Sequence, residues 1–325
     1  MWNGRLPNTD AAVADAIRQC LAVQKRLGVE GFILPVPLTS DINSNFDVEL
    51  DWMERGLAMA RQVDQHLPVY ASIVLSDTTL RGPDPWSNPL LSTILDQVSA
   101  RGVTHVYLVL EQANEDGYYC THPNTVGALL RLCHGLKVGG VSRILLAFGG
   151  TAGLIALAAG ADAWTSGWYR GERRLKLSDF EDQAGRAVPA YYSHPMGGEF
   201  HLDSDLDNAV RRGFLPRLRD LTSASGGLLE ALSSGRSSNG VPEWAHRQSN
   251  IAASMEHFLL ACVRETDFLA IADQEQSEAA THTWLEGAAR LATDLYSIGS
   301  FNPRTSVNHQ ANWLRAFESY QQNKL

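Results

Sequence analysis

Between residues 31 and 193, short apolar runs alternate with helix-length amphipathic segments, and few layer architectures accommodate that order. The runs at 69–75, 105–110 and 144–148 are apolar almost throughout, as strands covered on both faces must be. Weaker runs at 31–38, 162–166 and 188–193 bring the count to six, with Pro35 and Pro37 restricting the first to an end or irregular position. The segments between them carry helix signals. Thr9 or Asp10 can cap a helix whose Val13, Ile17, Cys20 and Leu21 recur at helical spacing, and Gly28 stops it. Asn88-Pro89 is a cap followed by a proline at the first helical position. This alternation predicts an α/β fold with a parallel (β/α)8-type barrel, possibly incomplete, with 200–202 as a candidate for one of the missing strands. An open doubly wound sheet is the competing architecture.

The pattern changes near residue 205, so the expected division is a barrel-like α/β domain over 1–205 and a helical region over 206–325. Residues 221–240 are rich in serine and glycine and read as loop, most flexible over 233–240. Beyond them, three apolar stripes mark helices, through Ile251, Met255 and Phe258, through Trp284, Leu285 and Leu291, and through Trp313, Leu314 and Phe317. Such stripes predict packing against the barrel, a protein partner or a second copy of the chain. The uncharged stretch 144–161 is close to membrane-spanning length, but Gly149, Gly150, Gly153 and Gly160 interrupt it as a strand, turn and helix would. No membrane association is expected.

Charge and cysteine usage narrow the setting. A formal charge of −9 argues against coating nucleic acid through overall charge, although a local basic patch can still take phosphate. The four cysteines are isolated and no apolar leader follows the N-terminus, which points to a reducing, cytoplasmic setting. Neither GxGxxG nor a P-loop is present, and no cofactor is expected.

In a barrel, chemistry gathers where the strands end, and that rule selects the candidates. Asp77 and Glu111 follow neighbouring strands and could act as acid and base, or instead hold a loop and pair with an arginine. Gly149 and Gly150 form a turn into a helix that could admit a phosphate, or serve only as a tight turn. Trp168, Arg170, Arg173 and Arg174 combine rings with guanidiniums, suited to stacking a base and contacting phosphate, or to a solvated loop with Glu172 as partner. Tyr192 and His194 follow the last strand as further substrate contacts. His194, Glu199, His201 and Asp203 suggest a metal-dependent hydrolase, but their spacing matches no zinc pattern and no metal is expected.

Residues 143–164, with the arginine-rich loop to Arg174, resemble the late barrel segment of the tRNA-guanine transglycosylases, in which a strand ends in a glycine turn, a short helix and a Gly-x-Asp strand follow, and an arginine-bearing loop borders the nucleic acid. The resemblance covers about a tenth of the chain. It implies a glycosyl- or pentosyl-transferase of the cytoplasm acting on a base- or nucleotide-containing substrate, with residues 168–176 facing a nucleic acid or nucleobase. The departures are specific. The family's nucleophilic aspartate falls at Thr165, its Asp-Ser-Gly-Gly-Phe-Gln segment has only Ser76-Asp77-Thr78 as a counterpart, and its cysteine-rich zinc site is absent. A threonine hydroxyl replaces a carboxylate nucleophile only with an activating base. A non-catalytic partner subunit that binds through the helical C-terminal region is therefore the alternative function.

Overall fold

The computed structural model describes residues 6–7, 9–41, 43–115, 117–180, 188–245, 251–299, 301 and 309–324. Helix α1 (Asp10–Arg26) opens on Thr9, whose hydroxyl accepts the Ala12 amide proton at 3.3 Å. Strand β1 (Phe32–Ile33) is short because the prolines after it cannot continue a ladder, although Thr39 rejoins Leu75 in an isolated bridge. Then follow α2 (Asp47–Val63), β2 (Val69–Ser76), α3 (Pro89–Ala100), β3 (His105–Glu111), α4 (Pro123–Val138), β4 (Arg143–Ala147), α5 (Ala152–Ala158) and β5 (Ala163–Trp164). Asn88 caps α3 by accepting from the Leu90 amide at 3.0 Å.

The five strands are parallel and lie in chain order, β1-β2-β3-β4-β5. A doubly wound sheet reverses its order partway; here no reversal occurs, so right-handed crossovers carry α2 to α5 to the same side. There α3 packs on α4 and α4 on α5. Ala71, Ile73 and Leu75 of β2 and Val106, Leu108 and Leu110 of β3 enter the core beneath those helices. The alternate positions carry Ser72, Ser76, Tyr107 and Glu111, so the opposite face is mixed in character, unlike the uniformly apolar strands expected. Helix α4 approaches α3 closely at Gly135, where a Cβ would lie 2.7 Å from Leu95.

The run at 188–193 does not extend the parallel sheet. Strand β6 (Ala190–Ser193) pairs antiparallel with β7 (Gly198–His201), which takes up the weak candidate at 200–202. Only His194-Pro-Met-Gly197 separates them, with Gly197 left-handed at φ 61°, and a parallel crossover needs a dozen residues or more. Among the described residues the parallel sheet thus has five strands.

The remainder is helical: α6 (Asp207–Arg211), α7 (Leu215–Leu218), α8 (Gly226–Ser233), α9 (Ile251–Ile271), α10 (Gln274–Tyr296) and α11 (His309–Asn323). Part of the serine- and glycine-rich stretch therefore folds as α8, which buries Leu228, Leu229 and Leu232. A second apolar cluster joins these to Tyr191 and Phe200 of the hairpin. Helix α10 spans both clusters, giving Leu285 to the first and Leu291 and Leu295 to the second, while Trp313, Phe317 and Tyr320 of α11 complete the first. Among the described residues no helix is long and apolar enough to cross a membrane.

Candidate functional site at the strand ends

At the ends of β2 and β3 the carboxylates are engaged within the fold. Ser76 Oγ donates to Glu111 Oε2 at 2.7 Å, and Glu111 is buried. Asp77, with no exposed surface, accepts the Asn114 amide proton, the Asn114 side-chain amide at 2.8 Å and Arg81 Nε at 3.2 Å. Arg81 also meets Glu115 Oε1 at 2.9 Å. Glu115 in turn accepts from Thr121 N, Thr121 Oγ1 and His122 N, which fixes the loop after β3. The arrangement is that of carboxylates organising two loops.

The ends of β4 and β5 are tied together through Thr165. Its hydroxyl accepts from Phe148 N at 3.3 Å and its carbonyl from Gly149 N at 3.1 Å, while Phe148 is itself left-handed at φ 55°. A bulky residue held there costs about 1–3 kcal/mol and marks a place where the chain is constrained from several sides. The amides of Gly153 and Leu154 are bonded back to Gly149, Gly150 and Thr151, so those turn amides serve α5 itself. Thr165 is exposed.

The arginines of the following loop turn inward. Arg170 Nε lies 3.0 Å from Glu199 Oε2 and Arg173 Nη1 lies 3.0 Å from Glu199 Oε1. Arg173 lies over the Phe258 ring of α9, its Cζ 3.4 Å from the ring centroid, and reaches Met255 Sδ at 3.3 Å. Arg174 pairs with Asp179, donates to the carbonyls of Glu115 and Gly117, and shares the Tyr118 ring with Arg170 at 5.3 and 5.6 Å. Burial alone would raise the Glu199 carboxyl, but the two guanidiniums override it and hold it below the ordinary glutamate value. Arg173, buried, and Arg170, mostly buried, thus share one carboxylate. Among the described residues of this neighbourhood, Arg170 Nε and Nη2, Arg173 Nε, Glu199 Oε1, Ser166 Oγ and Tyr192 OH are buried without a hydrogen-bond partner, so the charges of the cluster are close but not all aligned for hydrogen bonding. Trp168 and Tyr169 stand outside this cluster, 40% and 49% exposed.

Tyr192 packs edge-on against Phe258, its hydroxyl pushed to a high pKa by burial, and its carbonyl accepts from His257 Nε2 at 2.7 Å. His194 belongs to another neighbourhood. Its Nε2 meets Glu265 Oε2 at 3.1 Å, its ring stacks on Trp284 with centroids 4.9 Å apart, and its amide donates to Asp220. With His194 on Glu265 and Glu199 on the arginines, the residues 194–203 do not gather as metal ligands, and among the described residues no group of three or more candidate ligands does.

Tyr118 and Phe258 are neighbours of the arginines that the sequence does not single out as site residues, and Glu199, expected there only as a candidate metal ligand, is instead the partner of Arg170 and Arg173. Glu199 had a signal, a lone acid in an apolar strand beside Phe200, since a buried charge demands a partner. No family model, curated protein or solved structure matches this chain.

Proposed function

We propose that this chain is a relative of the (β/α)8-type barrels, transglycosylase-like at its strand ends, that binds a base- or nucleotide-containing ligand there, with binding rather than glycosyl transfer as its role. The observation that carries the reading is the buried Arg170–Glu199–Arg173 cluster, which has one more positive charge than negative and retains unpaired N–H donors. A buried surplus cation with free donors is costly until an anion meets it, and a phosphate or carboxylate oxygen matches the guanidinium geometry. Exposed Trp168 and Tyr169 supply rings on which a base can stack beside that anion site. The sequential five-strand sheet supports the barrel kinship, since a barrel winds its strands in chain order. Against transfer stand the engaged carboxylates of Asp77 and Glu111 and the hydroxyl of Thr165, which accepts from the Phe148 amide and has no activating base bonded to it among the described residues.

Titration of tryptophan fluorescence with a nucleoside 5′-monophosphate and with a short single-stranded oligonucleotide tests this. Binding should weaken as salt rises. Trp168→Ala should lose about 1–3 kcal/mol of it, the worth of one stacked base, whereas Thr165→Ala should bind as the parent does. Absence of binding to both probes at low salt removes the reading.

A further inference from the structure

A cavity of about 40 Å³ lies between α5, the turn after β6, α9 and α10, lined by His194, Glu265 and Thr281 together with Leu154, Phe268 and Trp284. One water fills about 10–15 Å³ by this measure, so the space holds about three waters or a headgroup with a short stem. Phe268 on its rim is largely exposed, so the cavity opens to solvent.

The polar atoms around it share one character. Glu265 Oε2 lies 3.1 Å from His194 Nε2 and, as a carboxylate oxygen, can only accept, which favours the imidazole proton on Nε2 and leaves Nδ1 as a lone-pair acceptor. Nδ1 is buried and has no partner among the described residues. Thr281 is 2% exposed, and its Oγ1 likewise has no partner, not even the helix carbonyl that a threonine often bonds. Charge points the same way. Arg264 bridges Asp220 Oδ1 at 2.9 Å and Glu265 Oε1 at 2.6 Å, one cation against two carboxylates. Burial holds the His194 imidazole below its ordinary pKa, against the pull of Glu265 and Asp220, so the ring adds no compensating charge near neutrality. The walls at Trp284 and Phe268 are aromatic, the surface that attracts organic cations.

We propose that this cavity is a binding site for a small primary ammonium group, which donates to His194 Nδ1 and Thr281 Oγ1 while Glu265 and Trp284 stabilise its charge. The site is independent of the strand-end arginines, which favour an anion. The ammonium replaces the missing hydrogen bonds and balances the excess carboxylate, and an alkyl stem leaves past Phe268.

Ethylammonium is the probe, with propan-1-ol as its neutral counterpart and acetate as its anionic one. With the histidine rings ¹⁵N-labelled, ethylammonium at pH 7.5 should shift the His194 Nδ1 resonance saturably, while the other two should not. Thr281→Val, which keeps the side chain's shape and removes the hydroxyl, should weaken ethylammonium about tenfold, the loss of one hydrogen bond to a charged group. Equal binding of propan-1-ol, preferential binding of acetate, or failure to saturate with ethylammonium overturns the proposal on the unmodified chain. An unchanged affinity in a folded Thr281→Val does so as well.

Discussion

Acidification should expose the cost of keeping His309 neutral in the core. The ring has no exposed surface, lies parallel to Tyr119 with centroids 4.3 Å apart and 3° between planes, and meets Trp313 at 4.3 Å. Its Nε2 donates to the Gly197 carbonyl at 2.8 Å, which joins the start of α11 to the β6–β7 turn. Burial lowers the imidazole from 6.5 to about 4, with the Gly197 carbonyl opposing. The unfolded chain takes up that proton below about 6.5, whereas the folded chain resists it until about 4. The contribution is therefore fully present above pH 6.5, declines as pH falls, and changes no further below about 4. From pH 7 to pH 4.5 the loss from this one group is about 2.5 kcal/mol. His309→Gln keeps a donor for Gly197 but cannot titrate, so its stability should fall with pH less steeply by that amount, whatever stability the lost ring costs at neutral pH. Urea midpoints and slopes of both proteins, measured at half-unit intervals, give the difference directly. His194 and His257, also lowered by burial, titrate in both proteins and cancel. Parallel stability curves over this window would refute a neutral, proton-excluding His309.

Glu199→Gln leaves two buried guanidiniums without their carboxylate and should destabilise by about 3–5 kcal/mol, read from the thermal or urea midpoint. An unchanged midpoint would show that the cluster is solvated. Gly153→Ala places a Cβ 2.4 Å from the Trp164 ring, a rigid wall, and should cost about 1–3 kcal/mol by the same measurement. Trp313→Ala removes a fully buried side chain and its bond to the Cys120 carbonyl at 2.7 Å, and should cost about 3–5 kcal/mol.

Local chemistry was legible in the sequence where one element decides it alone. Thr9, Asn88-Pro89 and Gly28 mark helix ends as expected, because capping is settled within four residues. The antiparallel hairpin was also within reach, since the short link from Ser193 to Gly198 forbids a crossover, but the apolar content of 188–193 drew the reading toward one more parallel strand. In 221–240 the serines and glycines obscured Leu228, Leu229 and Leu232, which recur at helical spacing. The site is another matter. Arg173 meets Glu199 and Phe258, and His194 meets Glu265 and Trp284, from elements tens of residues away that composition cannot bring together. Inward-turned arginines look the same in sequence as solvated ones.

Helix α11 has a consequence for the order in which the chain can acquire its structure. Trp313 Nε1 donates to the Cys120 carbonyl, Asn312 to the Thr121 carbonyl, and Ser319 receives the Trp86 indole proton. These partners are separated by 193, 191 and 233 positions. At about 5–20 residues per second on the ribosome, Cys120 precedes Trp313 by about 10–40 s. During that interval α4, buried on nearly every side in the finished molecule, lacks the helix that covers it. The sheet can form while synthesis continues, but its apolar flank stays open until the final helix emerges. A nascent chain halted after Asn239 is therefore exposed to aggregation at α4, and chaperones that shield apolar surface should engage this protein chiefly while it is being made.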